Sequence, residues 1–248
     1  MGRRALRKTW VALLALLAAA LLSSGLTPSV AAAPTNIYVV QGLPGRTVSV
    51  SVDGEAVVGR LTGGKVAGPF RVKRGTRTVT VAEGDETLVT SKVDLPAGST
   101  SEVVVHLPAS PTGDPMITRF DNELAAVQSG RAAHSVAHVA AAGPIDIRVE
   151  ENVVNANLAN GEYTYKVVPA GTRSVDIVQT GMTEPLLGPF DNNLAAAKMS
   201  WLFVIGVPGR DLAVVRHVIP LADGPGSQRP ADVRTGTGGQ AAELSEPG

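Results

Sequence analysis

Four histidines, His106, His134, His138 and His217, are the side chains best suited to proton transfer or metal binding near neutral pH. His134 and His138 are four residues apart, which in an extended strand puts them on one face and about 13 Å apart. One metal ion cannot span that distance, and no Asp or Glu sits beside either residue. His138 reads instead as a strand-end side chain bonded to a turn. With no cysteine in the chain, thiol nucleophiles, Cys-ligated metal sites and disulfides are excluded. A serine nucleophile needs a base and an orienting acid, and no Gly-x-Ser-x-Gly elbow occurs. Ser99 and Ser129 stand in ordinary turn contexts. Asp121, Asp146 and Asp191 are not paired by spacing, and Asp-Asn in a turn caps its own backbone more often than it binds calcium. The expectation is no catalytic set, no cofactor and no metal site.

Ligand contact is the remaining chemistry. Arg71, Lys73, Arg74 and Arg77 form a local basic cluster. It reads as the solvated end of a strand that protects an edge from pairing, with electrostatic contact to anionic wall polymers as the alternative. Tyr163 and Tyr165 share one strand face, where they either pack or offer a platform to carbohydrate. The ligand-contact candidates are His138, Asp146, Tyr163, Tyr165, Arg71, Lys73 and Arg74. A hydrolase would require His138, Asp146 and a serine to converge.

The elements that carry these residues are strands. Apolar and polar residues alternate through Val48–Val52, Val79–Val81, Ile145–Val149 and Tyr163–Val167, the pattern of half-buried strands. Trp201–Ile205 is apolar on both faces, as in a central strand covered on both sides. Asp53-Gly54, Gly63-Gly64, Gly143-Pro144, Asn160-Gly161 and Pro169-Ala170-Gly171 reverse the chain between them. Only Leu124–Val127 and Leu194–Ala197 offer a helical turn or two. The pattern also repeats. Arg74–Val81 matches Ala170–Ile177, Val48–Val52 matches Ile145–Val149, and Glu102–Val105 corresponds to Leu202–Ile205. Phe120–Ala126 echoes Phe190–Ala196 outside that period of nearly a hundred residues. The expected fold is all-β: two tandem homologous immunoglobulin-like β-sandwich domains, over 35–110 and 117–221, with a linker at 111–116.

The termini differ in composition. Arg3, Arg4, Arg7 and Lys8 precede an apolar run from Trp10 to Leu22 and the small-residue site Val30-Ala31-Ala32. This reads as a signal peptide over 1–32, with an apolar run too short to span a bilayer. The general secretory route suits it better than twin-arginine export, because Arg7 stands where that signal wants an apolar residue. The 22 basic and 22 acidic residues of the chain balance, but removing 1–32 takes away basic residues only and leaves an acidic protein. Neither state suits nucleic-acid binding. Residues 222–248 are rich in Gly, Pro, Ser and Gln, and a flexible tail is expected.

In the second repeat, Val136-Ala137-His138 followed by Gly143-Pro144-Ile145-Asp146-Ile147-Arg148-Val149 resembles a bacterial domain of unknown function, the family numbered 4397. Val168-Pro169-Ala170-Gly171-Thr172 is similar to that family's second hallmark turn, and Phe120–Leu124 with Gly130-Arg131 is similar to its lead-in. The resemblance covers most of 117–221 and is weaker in the first repeat, where Gln41 replaces the His. The family's Ser-Pro-Asp triplet is Ala140-Ala141-Ala142 here. The resemblance implies an exported sandwich-like repeat protein and brings no established activity. Taken together, the sequence predicts a non-enzymatic cell-envelope or extracellular module. Its partner would be a cell-wall polymer or another envelope protein, without nucleic acid and without a membrane span once the signal is removed.

Overall fold

The alternating stretches form sixteen strands in a computed structural model that describes residues 33–222, and no helix occurs among them. The expected signal peptide (1–32) and nearly all of the expected tail (223–248) lie outside the described residues. The first eight strands are β1 (Thr35–Gln41), β2 (Thr47–Val52), β3 (Glu55–Thr62), β4 (Val66–Val72), β5 (Gly75–Glu83), β6 (Glu86–Leu95), β7 (Thr100–His106) and β8 (Met116–Asp121). The second eight are β9 (Arg131–His138), β10 (Ile145–Val149), β11 (Asn152–Leu158), β12 (Tyr163–Pro169), β13 (Gly171–Gln179), β14 (Pro185–Leu194), β15 (Lys198–Ile205) and β16 (Ala213–Pro220).

The duplication is complete in strand order. Sheets β4-β1-β7-β8 and β3-β2-β5-β6 make one sandwich; sheets β12-β9-β15-β16 and β11-β10-β13-β14 repeat that order. In both copies the first and seventh strands run parallel, β1 with β7 and β9 with β15. The expected all-β sandwich pair is therefore present. Ile37, Val39, Val50, Val79 and Val103 belong to the first core, and Val136, Ile147, Val175, Leu202 and Val204 to the second.

A third apolar layer joins the sandwiches. Val40, Val104 and Phe120 lie in one cluster with Ala133, Met199, Trp201, Phe203, Ile205 and Ile219. The order of layers follows from side-chain alternation along β1, β7, β9 and β15. Val39 and Val103 point into the first core while Val40 and Val104 point into the shared layer; Leu202 and Val204 face the second core while Trp201 and Phe203 face the shared layer. These four strands are covered on both faces, which explains the unbroken apolar run at Trp201–Ile205. Trp201 stacks on Phe203 with ring centroids 5.1 Å apart and lies 5.8 Å from Phe120. Full burial of each such ring contributes about 2–3 kcal/mol.

Several expectations shift. The segment 117–121 belongs to the first sandwich, because β8 pairs with β7 along its whole length. The Pro/Gly-rich stretch around 111–116 is the loop of that hairpin, and the true connector is 122–130. Proline and glycine mark a chain reversal equally well inside a domain or between domains. Leu124–Val127 and Leu194–Ala197 form no helix. Leu124 and Val127 instead pack on the shared layer, and Leu194 ends β14. The late-strand correspondence moves by one residue: Val105 and Val204 hold equivalent places, so Glu102 matches Trp201.

Candidate functional site

Equivalent positions in the two copies follow from the ladders. Ile37 stands opposite Phe70 and Ser101, and His134 opposite Lys166 and Ser200. His134 therefore occupies the place of Ile37, and Lys166 that of Phe70. Val58 faces Val50 as Asn155 faces Ile147. Val93 faces Arg77 as Asn192 faces Arg173. In the first sandwich Ile37, Val58 and Val93 are core residues with Phe70 packed against them. In the second, all four positions are polar, and all four line one cavity of about 240 Å³. Most of its other walls are apolar, among them Val136, Ile147, Val149, Val168, Val175 and Leu194, with Thr164 and Arg173 as further polar lining. Without the Phe70 ring the sandwich stays open along β11 and β12, whereas β3 and β4 lie closer together in the first copy.

The electrostatics of the cavity are asymmetric. His134 Nδ1 lies 3.0 Å from the Ser200 carbonyl, which can only accept, so Nδ1 carries the proton. Nε2 is then a lone-pair acceptor, 3.3 Å from Asn192 Nδ2. Burial holds the His134 pKa below its usual value, the Ser200 bond opposes that shift, and Arg216 adds to it. The ring is neutral. Pointing its amide nitrogen at His134 leaves Asn192 Oδ1 buried with no hydrogen-bond partner. Lys166 Nζ donates across the mouth to the Val154 carbonyl at 2.6 Å. Arg173 also lines the cavity, and no carboxylate does.

The residues singled out from sequence are distributed differently. His138 is fully buried at the end of β9, its Nε2 3.1 Å from the Gly143 carbonyl, the strand-end hydrogen bond expected of it. Asp146 accepts from the Asn157 backbone N–H at 2.7 Å and the Thr180 hydroxyl at 2.6 Å, which ties β11 to the turn after β13. Tyr163 and Tyr165 share one face of β12, opposite to Lys166. Tyr163 packs edge-on against Phe120 at 5.4 Å, and both tyrosines remain more than one-third exposed. Arg71, Lys73 and Arg74 are exposed at the end of β4, away from the cavity. No hydrogen bond joins His138 to Asp146 or to a serine among the described residues. No group of three or more His, Asp and Glu side chains close enough to hold a metal occurs among them, and no helix there is long and apolar enough to cross a membrane.

Sequence reasoning considered His134 only as a metal ligand and missed Asn155, Lys166, Arg173 and Asn192. The available signal was the set of apolar-to-polar exchanges between the repeats. It is obscured by an irregularity between Ile37 and Val39 in the β1–β4 ladder, which offsets Phe70/Lys166 by one residue from Ile37/His134.

A second polar cluster lies in the shared layer. Glu102, fully buried, accepts from His217 Nδ1 and from Asn122 Nδ2, both at 3.0 Å, and Trp201 Nε1 donates to Asn122 Oδ1 at 2.6 Å. These bonds tie the connector to both sandwiches.

No curated protein matches the chain. A family match covers the whole first sandwich, the connector and the second sandwich as far as Arg148, an extent centred earlier in the chain than the sequence resemblance had placed it. Residues 35–148 match the family model described as Domain of unknown function (DUF4397).

Proposed function

We propose that this protein is an exported, non-enzymatic module of the cell envelope whose second sandwich takes a small molecule into the cavity between β11 and β12. One observation carries the reading: four inward positions that are apolar in the first sandwich are polar in the second, and they surround one cavity. A polar group placed in a core without full hydrogen bonding costs about 1–3 kcal/mol. Asn192 carries that cost most directly, being buried with an unpaired Oδ1, and an apolar pocket with a few convergent polar groups is the usual form of a small-molecule site. The basic N-terminal segment and its apolar run support export.

The test restores the first sandwich's residues in the second: His134→Ile, Asn155→Val, Lys166→Phe and Asn192→Val together. Small neutral probes, phenol and cyclohexanol, are followed by ligand-observed NMR. The parent chain is expected to bind them and the filled variant to lose them while melting several degrees higher. Absence of binding to the parent chain overturns the reading.

A wall-polymer role is favoured by Arg71, Lys73 and Arg74, which are all exposed at and just beyond the end of β4. Retention on purified cell wall at low salt, lost when all three become glutamine, tests it.

A further inference from the structure

The cavity's lining narrows the chemistry of what enters it. We infer that its ligand is a small monocarboxylate with an apolar body and a hydrogen-bond donor at the end remote from the carboxylate, of the hydroxyaryl-alkanoate class. This inference rests on the proposal that the cavity takes a ligand.

Size comes first. At about 30 Å³ per water-sized group, 240 Å³ holds roughly eight groups. One ring with short substituents suits that space. The walls are aliphatic on several sides and carry no aromatic platform, so burial of hydrocarbon supplies the affinity.

Charge comes second. Lys166 and Arg173 both line the cavity and nothing acidic does, so a cation is repelled and an anion attracted. An ammonium has three donors, and the hydrogen bond that Lys166 makes goes to the Val154 carbonyl. A carboxylate at the mouth therefore finds donors already in place.

Orientation comes third. Asn192 is only 1% exposed, and its Oδ1 has no partner. Asn192 is the buried member of the lining and Lys166 the exposed one, so a ligand hydroxyl that reaches Asn192 Oδ1 would satisfy it while the carboxylate stays near Lys166. His134 cannot serve the same end: its Nδ1–H is held by Ser200, and its Nε2 lone pair faces the Asn192 amide.

Isothermal titration of the whole chain with four probes tests this. 4-Hydroxyphenylacetate carries both ends, phenylacetate lacks the donor, 4-ethylphenol lacks the carboxylate, and 4-hydroxyphenethylamine reverses the charge. The expected order places 4-hydroxyphenylacetate about tenfold tighter than phenylacetate and than 4-ethylphenol, with the amine not binding. Asn192→Val is expected to abolish the preference for the hydroxyl while sparing phenylacetate. Lys166→Gln is expected to reduce the preference for the acid over 4-ethylphenol. Equal affinity for 4-ethylphenol and the acid, or a hydroxyl preference that survives Asn192→Val, overturns the inference and leaves the cavity reading intact. Failure of every probe, phenol and cyclohexanol included, overturns the cavity reading itself.

Discussion

Glu151 holds a backbone conformation that a glycine holds in the other copy. The β2–β3 turn has Asp53 at φ 52° and Gly54 at φ 83°, and the β10–β11 turn has Glu150 at φ 50° and Glu151 at φ 67°. Two consecutive left-handed residues suit the twist of a two-residue hairpin, but a side chain there costs about 1 kcal/mol. Glu151→Gly is therefore expected to raise stability by about 1 kcal/mol, read as a higher denaturation midpoint. His106 makes the opposite kind of statement. Burial pushes its pKa down to about 4, against the pull of the Leu107 carbonyl, and nearby His138 lowers it further. Because the folded value lies below the unfolded value near 6.5, the unfolded chain takes up the proton first as pH falls. Stability is then lost between about pH 6.5 and pH 4, by up to about 3 kcal/mol from this residue. His134 and His138 shift the same way, both mainly through burial. Unfolding midpoints measured across that range are expected to fall with acid, and His106→Gln is expected to flatten the slope.

Elements were legible in the sequence wherever one face of a strand is buried. Thr47–Val52 and Ile145–Val149 alternate, and they became β2 and β10. Trp201–Ile205 broke the alternation because β15 is covered twice, and that too could be read. What could not be read was partnership. The prolines near 111–116 announce a reversal, but only the ladder assigns β8 to β7. The cavity was hidden for a related reason: a histidine or lysine on a strand carries no mark of facing inward until its opposite residues are known. The edge strands now make a prediction of their own. Phe70 closes the first sandwich where Lys166 leaves the second open. Phe70→Lys is expected to cost about 2 kcal/mol, given that the ring is only partly buried, and to admit phenol into the first sandwich. A variant as stable as the parent would remove Phe70 from the account of why the copies differ.

At the scale of the molecule, the shared layer makes two sandwiches into one folding unit. Trp201 is fully buried there, and its indole N–H is the donor to Asn122. Trp201→Ala is expected to cost about 3–5 kcal/mol and to lower the melting of both sandwiches together. Calorimetry should show one transition in the parent chain. Two well-separated transitions would mean that the layer is a contact between independent domains. Cooperativity of this kind also accounts for the open cavity: the second sandwich lacks the counterparts of three apolar core residues and of the Phe70 ring packed on them, yet it rests on a face that the first sandwich completes.

The contacts across that layer have a further consequence. Glu102 meets His217, and Trp201 meets Phe120; Glu102 and Trp201 hold equivalent places, as do Phe120 and His217. The same pair of positions is thus met twice, once in each direction, which is the signature of a two-fold axis inside a single chain. Two first halves docked through this face would set the buried Glu102 carboxyl against a phenylalanine, at a cost of several kcal/mol. Two second halves would place a tryptophan against a histidine and lose the hydrogen bond to Glu102. Unlike halves alone satisfy the face, and the connector keeps the correct one at high local concentration. What has the geometry of a homodimer has become an exclusive pairing, protected from exchange with copies of itself.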